Sequence, residues 1–482
     1  MNLTILCRFS AACAVAFLFV LPVCAEKIAL VGGTAIDPAA GRSTSDAVLI
    51  IDGDKITAVG PRAEIKIPPD ARQIDCTGTF LIPGLWDMHV HVAGLTADPK
   101  WSRNALLPLL VANGVTGIRD MGGNLEALRD WRREIEAGAL VGPRIVAAGP
   151  FLGDGKPGTP DTIVVANPED ARRAAQEVKS RGADFVKILS RLSRESFLAL
   201  AGAAKKQGLD LVGHVPDSIS ATEAANAGMK CIEHIFYSNL AFDCSAQEAA
   251  LRRQRAEAAA KKDSAALSKI RTAAETTFDP KKADALWQVF LRNKTWICPT
   301  LIAIRTVGRV SELAANENDP RLAYLPTALR AQWTPQAMAK EVTPESAKWW
   351  LEQSDYDLKI ARAMHAAGVP ILAGSDSLDP FNYPGSSLHE ELELLVQAGF
   401  SPMEALQTAT INPARFLERD KPGGFGTIAP GRLADLVVLD ANPLDRIANT
   451  KRIRAVIMNG KLRERAELDR LLDQARASVA RD

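Results

Sequence analysis

From residue 83 to residue 420 the chain repeats one unit, a short apolar run of strand character followed by a helical stretch. Strands that alternate with helices in this way lie parallel, because each helix carries the chain back to start the next strand in the same direction. The apolar runs end near His91, Arg119, Ala148, Leu189, His214, His234, Pro299 and Ser375. Eight parallel strands is the number that closes such a sheet into an α/β fold of the (β/α)8 TIM-barrel type. The first six runs are closely spaced, with one helix between neighbours, and the last two gaps are longer. Residues 243–292 are rich in Ala, Lys, Arg and Glu, and residues 305–355 carry Trp333, Trp349 and Trp350 among charges. Both read as helical insertions on the active face, serving as lids, as solvated decoration or as an oligomer contact.

Outside the barrel the pattern changes. Residues 26–82 alternate apolar stretches with turn signals, in KIALVGGTAID, DAVLIIDGDKITAVG and RQIDCTGTFLIPG. A similar patch returns in residues 421–482, as GFGTIAPGRLADLVVLDANP and IRAVIMNGKL, followed by a terminal helix. Short runs punctuated by Gly-Gly, Asp-Gly and Pro-Gly are strands, so the expectation is a small β-sandwich domain built from both chain ends. A length of 482 residues suits one large barrel plus such a satellite, and 47% hydrophobic residues supply a real core.

Residues 1–25 read as a secretory signal peptide: Arg8 is the basic start, Ala11 to Leu21 the apolar stretch, and Val23-Cys24-Ala25 the small-residue cleavage site. The apolar run is short for the roughly 20 residues of a membrane span, so the expectation is cleavage after Ala25, no remaining span, and export to the periplasm or the extracellular medium. Removing Arg8 from 58 basic residues leaves 57, equal to the 57 acids. A neutral chain offers no global field for nucleic acid or an anionic membrane. Of seven cysteines, Cys76, Cys231, Cys244 and Cys298 would remain after cleavage. Their spacing resembles no zinc knuckle, and for Cys231 and Cys298 a packed thiol in a buried strand is the commoner explanation.

The chemistry concentrates at strand ends. In PGLWDMHVHVAG, His89 and His91 are two apart, so a strand projects both imidazoles from one face. Only six histidines exist in the chain, and His89, His91, His214 and His234 all close apolar strands. Asp376 follows the run VPILAGS. The C-terminal ends of barrel strands are where such enzymes keep their sites. Lys187, in ADFVKIL, sits within an apolar strand, which is costly unless the amine is neutral or paired. One solution is an Nζ-carbamate (N6-carboxylysine), an anionic oxygen ligand able to bridge two metals; a salt bridge or a snorkelling side chain is the plainer one.

This series, His-x-His, then Lys, His, His and Asp on later strands, resembles the amidohydrolase superfamily. The resemblance runs over nearly the whole mature chain and includes TATINPARFL and GTIAPGRLADLVVLD. Within the superfamily it is most similar to the imidazolonepropionase-related branch that contains metal-dependent Xaa-Pro dipeptidases and carboxypeptidases. The resemblance implies two divalent metal ions. His89, His91 and Asp376 would hold the more buried one, His214 and His234 the other, with carboxylated Lys187 between them. Oxygen and imidazole ligands without thiolate suit Zn²⁺, or Mn²⁺ or Co²⁺. It further implies a hydroxide held between the cations, with Asp376 moving the proton to the leaving amine.

Tyr237, three residues past His234, is expected as a substrate or oxyanion contact or as a packed loop residue. Arg119 is expected to meet a substrate carboxylate or to pair with neighbouring acids. His389 has a capping or core role, and His365 is an ordinary helical residue. The loop GDGKPGTPDT departs from the histidine-bearing loop of an imidazolonepropionase. The functional expectation is therefore hydrolysis of an amide bond in a dipeptide or N-acyl amino acid, by a homo-oligomer whose partner is that small substrate. An esterase, lactonase or phosphotriesterase would use the same metal centre, and a binding scaffold would have no use for a complete ligand set.

Overall fold

The computed structural model describes residues 26–94, 98–153, 161–418, 420 and 423–479. The expected export signal lies outside them, as does most of the loop 153–162. Among the described residues, no helix is long and apolar enough to cross a membrane.

Parallel strands at Leu85–Val90, Val115–Asp120 and Arg144–Ala147 pair in order. A second parallel run pairs Phe185–Ile188, Asp210–Gly213, Met229–Glu233 and Trp296–Cys298. The two runs meet where Asp184 N donates to Ala147 O at 2.9 Å and Ile188 bridges Leu152. The eighth position is an extended segment rather than a continuous strand. Ile371 bridges Ile297, Ser377 bridges Val90, and Met88 N donates to Ala373 O, which closes the barrel. Gly374 lets this segment press inward, since a Cβ there would lie 2.6 Å from Cys298 Sγ and 2.7 Å from His89 Cβ. The first two strands are buried along their whole length, as strands covered by helices on one side and filled on the other must be.

The helices begin where side chains can cap them. Asn124, Asn167, Ser193 and Ser220 each accept a backbone N–H in the first turn of the helix that follows a barrel strand. Each such cap is worth about 1 kcal/mol. Between the sixth, seventh and eighth strands lie helices at Glu248–Ala260, Ser264–Thr276 and Pro280–Asn293, then from Leu301–Gly308 through the long Pro344–Ala366. They touch one another: Trp349 Nε1 donates to Thr272 Oγ1 at 3.1 Å.

Both chain ends contribute to one hydrogen-bonded sheet of eight strands. Leu436–Leu439 lies between Phe80–Pro83 and Ile453–Met458, so the C-terminal strands extend the sheet begun by Ile28–Asp37 and Arg42–Asp52. This is the small β-domain expected from both chain ends, with its pairing unbroken from one end to the other, and Leu30, Leu49 and Ile51 share an enclosed apolar cluster with Val438 and Ile457. Arg144 joins the third barrel strand to Asp435 at 2.6 Å. Cys76, Cys231, Cys244 and Cys298 are all buried and unpaired.

Candidate metal centre

His89 and His91 project from the first strand into the barrel, as their period-two spacing requires. Asp376 faces them from the closing segment: its Oδ1 lies 3.4 Å from His89 Nε2 and 3.3 Å from His91 Nε2. His234 approaches the other oxygen, Oδ2, at 3.8 Å. The His234 ring is 4.6 Å from that of His89 and 4.9 Å from that of His214. Lys187 is buried on the fourth strand, where the charges of Glu233, Asp376 and Arg119 all act on its amine. All six expected ligands thus converge at one end of the barrel.

A second set of contacts orients the imidazoles. His89 Nδ1 lies 2.9 Å from Glu233 Oε2, and His91 Nδ1 lies 3.2 Å from the carbonyl of Gly122. His234 Nδ1 lies 2.6 Å from Thr300 Oγ1, whose own proton goes to Pro299 O. The Glu233 carboxylate and the Gly122 carbonyl can only accept, so Nδ1 of His89 and of His91 carries a proton and Nε2 is the atom that faces Asp376. His214 Nδ1 is held by Ser190 Oγ at 2.8 Å. This is how metal-ligating histidines are fixed in tautomer and orientation. His89 Nε2 is buried with no hydrogen-bond partner, an omission that costs about 1–3 kcal/mol if nothing binds there. An imidazole acceptor stranded beside a carboxylate and a second imidazole fits a cation. His89, His91 and Asp376 bring one ligand atom each within 4.8 Å of one another. A second triple, His89, Glu233 and Cys298, is as compact, but Glu233 is already engaged by His89 Nδ1 and Arg119.

Three of the imidazoles are held neutral, as ligands must be, whereas at His91 the hydrogen bond and charge of Asp376 outweigh burial and raise the ring above the ordinary histidine range. Burial pulls His214 and His234 well below the ordinary histidine range and His89 down to about 4, so these rings are neutral near pH 7. Burial pushes the Asp376 carboxyl up, but the surrounding histidines, with His91 hydrogen-bonded to it, outweigh that and hold it well below the ordinary carboxylate range. Burial also lowers the Lys187 amine, which favours the neutral form that carbon dioxide can carbamylate.

The backbone pays for this convergence. His234, Thr300 and Asp376 have φ of 59°, 47° and 55°, left-handed values that cost a non-glycine residue of order 1–3 kcal/mol. They sit at the ends of the sixth, seventh and eighth strands. At His234 the twist breaks the strand's alternation, so Glu233 and His234, adjacent in sequence, both reach the interior.

Sequence reasoning missed Glu233, Thr300, Ser190 and Asp87. Asp87 shares the period-two face of His89 and His91, which was the available signal. It accepts from the backbone N and the Oγ of Ser375, at 2.9 and 2.6 Å, and fixes the segment that carries Asp376. Of the two roles expected of Arg119, the contacts favour the ion pair over a substrate contact. Its side chain has no exposed surface, its Nη2 contacts both Glu233 oxygens at 2.7 and 2.9 Å, and its Nε donates to Met88 O. It is therefore an ion-pair partner in the barrel interior, out of reach of a substrate carboxylate. Tyr237 lies over the imidazoles: its ring stacks on His214 at 5.6 Å and meets His234 edge-on at 5.1 Å. His389 is a core residue, bonded through Nδ1 to Thr450 Oγ1 and through Nε2 to Asn113 O. His365 stacks on Phe400.

A family model described as the amidohydrolase family matches residues 80–463. An ochratoxinase of Aspergillus niger is 23% identical over 496 residues, covering 90% of this chain and 86% of its own. A solved structure from Bifidobacterium longum, assigned as a prolidase, superposes with a TM-score of 0.67 at 25% identity and covers 94% of this chain and 99% of its own. Bottromycin amidohydrolase superposes with a TM-score of 0.68 at 23% identity, over 94% of this chain and 90% of its own.

Proposed function

The chain belongs to the amidohydrolase family, as a hydrolase of C–N bonds, and on that premise we propose that it cleaves the amide bond of a dipeptide or N-acyl amino acid. His89, His91 and Asp376 would hold one divalent cation and His214 and His234 a second, with Lys187, carboxylated at Nζ, between them. The donor set favours zinc. Bound cations supply Lewis acidity, which acidifies water and polarises a carbonyl.

The chain's own groups do the rest. Asp376, ionised and in contact with His89 and His91, is placed to take a proton from the attacking water and pass it to the leaving amine. Tyr237, over His214 and His234, is placed to contact the scissile group. Glu233, Thr300, Ser190 and the Gly122 carbonyl hold the imidazoles in register. The observation that carries the reading is the bare, buried Nε2 of His89 facing Asp376. Export rests on the N-terminal sequence, from Arg8 through Ala25.

The test is hydrolysis by the zinc-reconstituted mature protein of free dipeptides, N-acyl amino acids, lactones, aryl esters and a phosphotriester. Turnover confined to amides with a free terminal carboxylate is expected. Turnover of esters or phosphotriesters alone would reassign the same centre to another substrate class.

A further inference from the structure

Tyr237 lies in a tight turn, closed where Asn239 N donates to Phe236 O at 3.0 Å. The residue after it is fastened to the barrel: Ser238 Oγ donates to Glu233 O at 2.6 Å and accepts from Val215 N at 3.1 Å. The residue before it is held by the inserted helices instead. Arg271, on Ser264–Thr276, donates from Nη1 to the same Phe236 carbonyl at 3.1 Å. Its guanidinium also lies 4.6 Å from the centre of the Phe236 ring, and Trp350, on Pro344–Ala366, packs against that ring at 4.8 Å between centroids. Arg271 is itself immobilised. Its side chain is 6% exposed, and its Nε donates to Glu275 Oε1 at 2.7 Å. Gln353 Nε2 donates to the other oxygen of Glu275 at 2.8 Å, and the buried Asp357 lies 4.0 Å from Arg271 Nη2. A run of contacts thus leads from the second insertion through the first to the turn that carries Tyr237. A guanidinium removed from water is costly unless it is engaged in this way, and a helix that merely decorated the surface would keep its arginines in solvent.

From this arrangement we infer that Arg271 is a positioning residue: through the Phe236 carbonyl it fixes the Tyr237 ring over His214 and His234, and the two insertions are its brace. The inference rests on the reading above that puts Tyr237 against the scissile group. The Tyr237 ring stacks on His214 and meets His234 edge-on, so a small shift of the turn would carry the phenol away from both. A displacement of about 1 Å at a positioned group can cost about 100-fold in rate, which is why a buried ion pair remote from the imidazoles can matter to turnover.

The experiment joins a fluorine spectrum to kinetics. The chain has four tyrosines, so 3-fluorotyrosine labelling gives few lines, and the one lost in Tyr237→Phe belongs to Tyr237. The test variant is Arg271→Met/Glu275→Gln, which removes both charges of the pair together. Its Tyr237 line should move or broaden while those of Tyr324 and Tyr383 stay in place and bound metal is unchanged. On an N-acyl amino acid, kcat of the zinc-reconstituted variant should fall about 10–100-fold with little change in KM. Adding Tyr237→Phe should lower it no further, because the two act as one unit. Arg271→Lys keeps a charge for Glu275 but replaces the fork by a single nitrogen; it should move the same line, and it carries the test if the double variant does not fold. An unmoved Tyr237 line, or losses that multiply with that of Tyr237→Phe, would overturn the inference. A moved line in a chain whose parent hydrolyses no amide would keep the brace and remove the hydrolase reading.

Discussion

Inside the terminal sheet Leu30, Leu49, Ile51, Val438 and Ile457 pack against one another. Inside the upper barrel the fully buried positions include Asp87, His89, Arg119, Lys187 and Glu233. The first region is hydrocarbon, and each large side chain there contributes about 1.5–3 kcal/mol by leaving water. The second is charge and imidazole removed from water, which destabilises unless every group finds a partner. The irregularities of the sheet are register shifts within paired strands, whereas at the barrel rim the left-handed residues His234, Thr300 and Asp376 are themselves members of the site or its immediate supports. The chain is thus stabilised in one place and made reactive in another, and substitutions in the two should separate stability from activity.

The sharpest separation is expected at Asp376. Asp376→Asn keeps a neutral isostere at the rim and should lower kcat by about 10²–10⁴-fold, while bound metal, measured by mass spectrometry, changes far less. Retained turnover would remove Asp376 from its proton-transfer role. Next in size is the buried pair. Glu233→Ala strands Arg119 and should cost about 3–5 kcal/mol in urea unfolding, with loss of metal because His89 is no longer held. Adding Arg119→Met should recover most of that stability but none of the metal. If the double variant is as unstable as the single one, the burial of charge is not what makes this region costly. Leu49→Ala should cost a similar 2–5 kcal/mol, yet leave metal content and kcat intact in the folded fraction.

How the two regions came to be legible follows the same division. The sheet strands and the barrel order could be read because apolar periodicity records burial against hydrocarbon. His89, His91, Lys187, His214, His234 and Asp376 stood out because polar residues interrupt apolar strands only at a cost. Glu233 did not, because strict alternation sends the neighbour of His234 to the opposite face, and only the left-handed turn at His234 brings both inward. Thr300 and Ser190 act through hydroxyls that look like ordinary loop residues. Arg119 was visible as a charge at a strand end, but its direction depends on Glu233, which lies 114 positions along the chain. That both chain ends join one β-domain could be read from their matching patterns, but which strands meet, Phe80–Pro83 with Leu436–Leu439, leaves no local trace.

The seam between the regions gives a smaller, pH-dependent effect. Burial lowers His389 to about 4 from 6.5, against the hydrogen bond that its Nε2–H donates to the Asn113 carbonyl. The native residue therefore stays neutral while the unfolded one protonates. Between pH 6.5 and about 4 the unfolded chain binds the extra proton, so stability falls as pH drops through that window and does not change above it. The full loss is up to about 3 kcal/mol. The urea midpoint of the metal-free protein should fall less between pH 7 and pH 5 in His389→Gln than in the parent chain; equal slopes would assign the pH dependence elsewhere. Smallest of all, Ser190→Ala releases one orienting contact on His214 and should weaken metal binding by about 10–100-fold, with no shift in the unfolding of the metal-free chain.

The most direct test of the account is metal stoichiometry joined to turnover: dialyse the chelated protein against zinc, count bound ions per chain, and assay an N-acyl amino acid before and after. Two zinc ions per chain, with hydrolysis absent after chelation and restored on loading, is the predicted result. Less than one bound ion per chain, or full hydrolysis after chelation, would contradict it.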